Sequence, residues 1–221
     1  MKTPLIVTVT GPSSAGKTVL STELAKNYGF EPLVSTTTRA PRKGEVHGKD
    51  YYFVSVAEFE SLKANNGLIE EVEYHGNRYG VQASEVTRAF AEGKPAVLVA
   101  EPHGCEQIHH YCAERDWNAL RVFVNNPIPV LIDRMLRRFY DDVSDLAPDS
   151  SAFQAKIDAH GGRITKILTQ EQEEWVKPAY DKSVHYDLII DRFDGNQAEV
   201  AQQVRTLVDQ HLAPKPRRPR P

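Results

Sequence analysis

Apolar and polar positions fall in blocks along this chain, and the blocks set out strands and helices in turn. Leu5 to Thr10 is apolar and rich in β-branched residues, the pattern of a strand covered on both faces. A helical run follows from Val19 to Lys26 and stops near Gly29. Glu31 to Val54 is polar and dense in Ser, Thr, Gly and Pro, which predicts irregular or edge-strand structure. Ser55 and Glu58 form a capping box that opens a short helix reaching about Asn65. Leu68 to Tyr74 alternates in part like a strand, and Gly76-Asn77 offers a turn. Ser84 to Glu92 reads as a helix stopped by Gly93, and Ala96 to Ala100 as a buried strand.

The second half continues the alternation. Ala119 to Val124 is another buried strand, after which Pro127 and Pro129 introduce a helix with an apolar face and an arginine-rich end. Asp141 to about Gly162, rich in Asp, Ser, Ala and Gly, reads as a mobile lid or a surface insertion. Ile164, Ile167, Leu168 and Trp175 predict a long helix ending before Pro178. Tyr186 to Asp191 is a last strand and Gln197 to Leu212 a closing helix. The basic, proline-rich end, 214–221, suits neither a helix nor a strand ladder and is expected to be extended and disordered.

Strands alternating with helices imply an α/β fold, with a mostly parallel sheet covered on both faces and ligands at the carboxyl ends of its strands. The first such end carries Gly11-Pro12-Ser13-Ser14-Ala15-Gly16-Lys17-Thr18, a glycine, four residues, then Gly-Lys-Thr. That spacing, between a strand and a helix, is the pattern of a phosphate-binding loop. Two glycines let backbone N–H groups turn toward concentrated negative charge, and the next helix adds its N-terminal N–H groups and positive dipole end. Lys17 is placed to reach the β- and γ-phosphates of ATP, and the Thr18 hydroxyl to bind Mg²⁺.

A chain of 221 residues suits one α/β domain with an insertion, or two small domains. The net charge of −3 gives no basic field for a nucleic acid polymer. With no leader-like start and no apolar run long enough for a bilayer, the expected setting is cytoplasmic, away from membranes. Cys105, His109 and Cys112 could share a helix face, a spacing open to a zinc reading. Without paired C-x-x-C units, an amphipathic helix with reduced thiols is the better account. Arg39 and Arg42, set among hydroxyls and tyrosines, suit a second phosphate site because guanidinium forks match phosphate oxygens. Glu70, beside apolar residues, either faces a cleft or is an exposed strand carboxylate.

From Leu5 to about Leu212 the chain resembles guanylate kinase. The resemblance rests on the Gly11–Thr18 loop, on Ser35 through Phe53, on Ile69-Glu70 and on Gly76-Asn77-Arg78-Tyr79-Gly80. It implies a P-loop NTPase-type core over 1–34 and 94–212, an inserted monophosphate-binding domain over 35–93, a lid at about 137–163 and a tail over 213–221. It also implies ATP and a nucleoside monophosphate as partners, Mg²⁺ with ATP, and a monomer or homodimer. By position, Arg39, Arg42, Tyr51 and Tyr79 match ligands of the acceptor phosphate, and Ser35 and Glu70 match base-site residues. A carboxylate suits guanine, because it accepts from both N1–H and the 2-amino group. Arg134, Arg138 and Arg163 resemble lid arginines that, with Lys17 and Arg39, neutralise charge on the transferring phosphoryl group.

The chain also departs from the family. Val81 stands where a hydroxyl usually meets guanine O6, and Val99-Ala100-Glu101 replaces Asp-x-Asp, leaving Glu101 to reach a base amino group or a metal-bound water. The segment from Arg138 to Arg163 is longer than usual. The reaction implied is ATP-dependent phosphorylation of GMP or dGMP, with altered or relaxed base choice. Two alternatives stand beside it: a ribose 1,5-bisphosphate phosphokinase, whose family can show Tyr-Gly-Val, and a binding module without catalysis.

Overall fold

The structure, a computed structural model, describes residues 4–42, 44–74 and 76–212; the tail expected to be disordered lies outside them. Strand β1 (Leu5–Thr10) is buried at all six positions, as its unbroken apolar run requires of a central strand. It lies in the middle of a five-stranded, all-parallel sheet. The order is β2 (Glu31–Pro32), β7 (Ala96–Val99), β1, β8 (Asn118–Val124), β9 (Leu188–Ile190). Alternate residues of β1 serve the two faces. Leu5, Val7 and Val9 pack with residues of α1 (Lys17–Asn27), α5 (Ile128–Val143) and α8 (Gln197–Leu212), among them Leu24, Leu131 and Val204. Ile6 packs on the other side with Leu98, with Val86 of α3 (Ala83–Ala91) and with Ile108 of α4 (Pro102–Ala113).

The polar stretch after β2 builds a second sheet. Its order is β4 (Tyr52–Phe53), β3 (Ser35–Thr37), β6 (Asn77–Gln82), β5 (Leu68–Tyr74), antiparallel except for the β3–β4 pair. Helix α2 (Val56–Ala64) lies beside it and opens on the expected capping box, in which Ser55 and Glu58 serve each other's backbone N–H. The register of β5 against β6 slips between Leu68 and Glu70, and both Ile69 and Glu70 are buried. The β-bulge turns a carboxylate inward where strict alternation would not.

The Asp141–Gly162 stretch, expected as a mobile lid or a surface insertion, is mostly helical: α5 runs on to Val143 and α6 (Ser151–Leu168) begins eight residues later. Ser150 caps α6 by accepting from the Phe153 N–H at 3.1 Å. Phe139 packs at 6.1 Å from Phe153 and 5.4 Å from His160, so aromatic contacts join the pair of helices. One expectation needs correction: the helical path does not end before Pro178. After Thr169, whose φ of −123° and ψ of −87° break the helix, the chain widens into a π turn (Gln172–Val176) and enters α7 (Lys177–Tyr180). Pro178 falls in the first turn of α7, where a missing N–H breaks no helix bond.

Cys105 and Cys112 are free, buried thiols on the sheet-facing side of α4, pushed by burial up to about 12 and about 11. Among the described residues no helix is long and apolar enough to cross a membrane.

Candidate active site

Gly11–Thr18 joins the carboxyl end of β1 to α1. Gly11 has φ 140°, and a Cβ there would stand 1.9 Å from the Val124 carbonyl oxygen, so only glycine fits. Ser14 adopts φ 63°, a left-handed conformation unusual for a residue with a side chain. Its neighbours hold it there. Arg134 of α5 donates to the carbonyls of Ser14 and Ala15, both at 3.2 Å, and to that of Phe193 at 2.6 Å. Buried Asn126 donates to the Ala15 carbonyl at 2.9 Å. On the other side Glu171 accepts from the Ser13 N–H at 2.9 Å and from the Ser13 hydroxyl at 2.7 Å. Lys17 Nζ donates to the Gly11 and Pro12 carbonyls, both at 2.8 Å. Burial lowers the Lys17 ammonium to about 8, against the pull of Glu171 and Glu101.

The second sheet supplies a cationic and aromatic wall. Arg39 presents its guanidinium to Glu45 as a two-pronged ion pair, both contacts at 3.0 Å, and lies 5.3 Å from the Tyr51 ring centre. Tyr51 in turn stands 6.0 Å from Tyr79, edge to face. Arg42 is exposed and gives its backbone N–H to Glu45 at 2.7 Å. Although burial opposes it, Arg39 and Arg42 hold the Glu45 carboxyl below its usual range.

Glu70 is 6% exposed. Burial, and then the nearby Glu101 and Glu71 carboxylates, raise its carboxyl to about 8, with only the Val81 N–H favouring the ionised form. Its Oε2 is buried without a hydrogen-bond partner among the described residues. A Cβ on Gly104 would stand 3.0 Å from that oxygen. Glu101 occupies the N-cap of α4; burial raises its carboxyl, against Lys166 and Lys17.

One cleft of about 650 Å³ brings the two sides together. Gly11, Ser13, Ser14, Gly16, Lys17 and Thr18 line it from the loop, and Ser35, Arg39, Arg42, Tyr51, Glu70 and Tyr79 from the second sheet. Glu101, Arg134, Arg138 and Arg163 line it as well. Three expected residues do not. Pro12 and Ala15 are buried behind the loop. Val81 is 0% exposed and packs in the core with Ile6, Leu33, Val86 and Leu98, so its backbone N–H rather than its side chain serves the site. Arg134 is committed to loop carbonyls and to Asp194, at 3.2 Å, which makes it a brace for the loop. The sequence reading passed over Glu45 and Glu171, and also the cleft-lining Val72, Trp175 and Phe193. Only Glu45, three residues beyond Arg42 in a charged run, carried a local signal.

The chain matches the family profile described as "Guanylate kinase" over residues 1–174. It is 42% identical over 106 residues to a guanylate kinase of Lactobacillus johnsonii, which covers 47% of this chain and 52% of that one. It is 38% identical over 128 residues to a guanylate kinase of Trichodesmium erythraeum, covering 58% and 67% of the two chains. The matches therefore span about half to two thirds of the length of these curated relatives. Its fold is similar to the crystal structure of guanylate kinase from Anaplasma phagocytophilum. The TM-score there is 0.61 at 24% identity, covering 97% of this chain and 89% of that one. The phosphate loop, the second sheet with its arginine and tyrosine wall, and these matches lead to one conclusion: the chain belongs to the guanylate kinase family.

Proposed function

We propose that this protein transfers the γ-phosphoryl group of Mg·ATP to GMP or dGMP, giving ADP and the diphosphate, with a relaxed reading of the purine 6-position. The observation that carries this reading is the single cleft with Lys17 on one wall and Arg39, Arg42, Tyr51, Tyr79 and the buried Glu70 on the other. Two phosphate-bearing substrates repel each other, so a site that joins them must supply positive charge on both sides. The phosphate loop and Lys17 face the donor, and Arg39 and Arg42 face the acceptor phosphate. Tyr51 and Tyr79 add hydroxyl donors. The segment over 35–93 is thus the monophosphate-binding unit, inserted into a core over 1–34 and 94–212, with the α5–α6 pair as the lid.

Arg138 and Arg163 enter the same cleft from that pair. Their charge suits the oxygens of the phosphoryl group in flight, and closure over the cleft would exclude water, which otherwise competes as acceptor. The Thr18 hydroxyl and the Glu101 carboxylate, hard oxygen donors on the donor side, fit the Mg²⁺ that accompanies ATP. When bound, the ion supplies neutralisation of phosphate charge.

Glu70 reads the base. As a carboxylate it accepts from guanine N1–H and the 2-amino group, a pair of donors that adenine does not present. No side-chain donor from position 81 reaches O6, since valine has none and points into the core. Discrimination at O6 itself is therefore weak, and purines that keep both N1–H and the 2-amino group should be accepted whatever atom they carry at the 6-position, whereas 2-aminoadenine, whose N1 is an acceptor, lacks that pair. The presence of Glu70 favours a base over ribose 1,5-bisphosphate, and the intact Lys17 and Thr18 favour catalysis over a binding module. The test is ADP release from Mg·ATP with separate acceptors: GMP, dGMP, 2-aminoadenine deoxynucleotide, AMP, dAMP, pyrimidine monophosphates and ribose 1,5-bisphosphate. Turnover on GMP and dGMP well above that on AMP, dAMP, the 2-aminoadenine deoxynucleotide and the pyrimidine monophosphates supports the reading. Turnover on AMP equal to that on GMP, or on the ribose bisphosphate alone, overturns it.

A further inference from the structure

Glu171 is 1% exposed, although Gln170, Glu173 and Glu174 around it are exposed. A buried carboxylate is costly without partners, and here both oxygens are used by one residue, the Ser13 N–H at 2.9 Å and the Ser13 hydroxyl at 2.7 Å. The backbone is bent to put it there. The helix breaks at Thr169, and a π turn begins directly after Glu171. Such widened turns are frequent at functional sites. Ser13 precedes Ser14, the loop residue in the left-handed region, and strain of that kind persists only where its surroundings over-determine it. On the opposite side Arg134 grips the Ser14 and Ala15 carbonyls. The outer arc of the loop is thus held between an anion and a cation, Arg134 on α5 and Glu171 just beyond the end of α6.

We propose that Glu171 is a positioning residue of the donor site: by fixing Ser13 it sets the left-handed turn of the phosphate loop, and it ties that loop to the helix carrying Arg163. This rests on the reading of Gly11–Thr18 as the ATP site. It goes further in making the loop's geometry depend on a residue 158 positions away that does not touch the phosphates.

The experiment measures the binding of ATP and of GMP separately, then kcat and the KM for each substrate, for the wild type, Glu171→Gln, Glu171→Ala and Ser13→Ala. Glu171→Ala should weaken ATP binding about tenfold to a hundredfold, the range for losing charge-assisted hydrogen bonds, with GMP binding within about twofold of wild type. Glu171→Gln should lie between, with the loss falling on the KM for ATP and not on that for GMP. Combining Ser13→Ala with Glu171→Gln should cost less than the sum of the two, because they break the same contact. If Glu171→Ala does not fold, the other two variants decide. Wild-type ATP affinity in Glu171→Gln would overturn the proposal, as would equal loss of ATP and GMP binding. A wild type that binds no ATP would instead overturn the donor-site reading, and this inference with it.

Discussion

Replacing Glu70 with glutamine should abolish the pH dependence of GMP binding. Before a base arrives, burial and two neighbouring carboxylates place the Glu70 carboxyl at about 8, so at neutral pH it holds its proton. Guanine offers donors to this group, and accepting both requires the ionised form. Binding must then expel a proton. At pH 6.5 the group lies about 1.5 pH units below its midpoint, which costs about 2 kcal/mol, or about thirtyfold in affinity. Wild-type affinity for GMP should therefore climb about sixteenfold between pH 6.5 and 8 and level off above about pH 9, at the full thirtyfold. This window lies above the second phosphate ionisation of the nucleotide, at about 6, so the phosphate adds little slope. Titration calorimetry in buffers of different ionisation heat should count close to one proton released per GMP at pH 6.5. Glu70→Gln should bind GMP more weakly, with a flat profile and no released proton. Glu101→Gln, by removing one of the raising charges, should shift the wild-type midpoint downward. A wild-type profile that is flat, or that falls with rising pH, would refute the assignment of Glu70 as the base acceptor.

Other outcomes follow from the same geometry. Lys17→Met should lower turnover by at least about a thousandfold with GMP affinity within about threefold, since it removes charge needed mainly by the transferring group; steady-state kinetics and GMP titration check this. Arg39→Ala should raise the KM for GMP by about a hundredfold and leave the affinity for ATP unchanged, as expected for losing a two-pronged contact to phosphate; substrate titrations distinguish the two sites. Gly104→Ala should cost about 1–2 kcal/mol of stability and weaken GMP binding. Its Cβ would press on Glu70 Oε2 at 3.0 Å and displace it; thermal unfolding with GMP binding tests both parts, and unchanged binding would show that Glu70 is free to move.

The parallel sheet was legible because buried strands such as Leu5–Thr10 and Ala119–Val124 are continuous apolar runs, and the phosphate loop because its glycines sit at fixed spacing. The lid segment was hidden by composition. Asp, Ser, Ala and Gly suggested a lid or an insertion without showing its helices, while a single Ser150 cap and three aromatic rings spaced along α5 and α6 suffice to hold them. Glu70 was identified, but its inward aim comes from a β-bulge that alternation alone does not show. Glu171 was invisible for a related reason. Within Gln170-Glu171-Gln172-Glu173-Glu174 nothing marks which carboxylate is buried, because that choice is made by the break at Thr169 and the π turn that follows. Val81 shows the converse: its position in the motif suggested a wall of the cleft, whereas packing on Ile6 and Leu98 draws its side chain into the core.

The central claim is that the cleft delivers a phosphoryl group to a nucleoside monophosphate rather than to water. The most direct measurement is a single-turnover reaction with Mg·ATP radiolabelled in its γ-phosphoryl group, enzyme in excess and saturating GMP, with the products separated and counted. The label should appear in GDP, with little in inorganic phosphate. Label released chiefly as inorganic phosphate, or retained in ATP with GMP bound, would contradict the account.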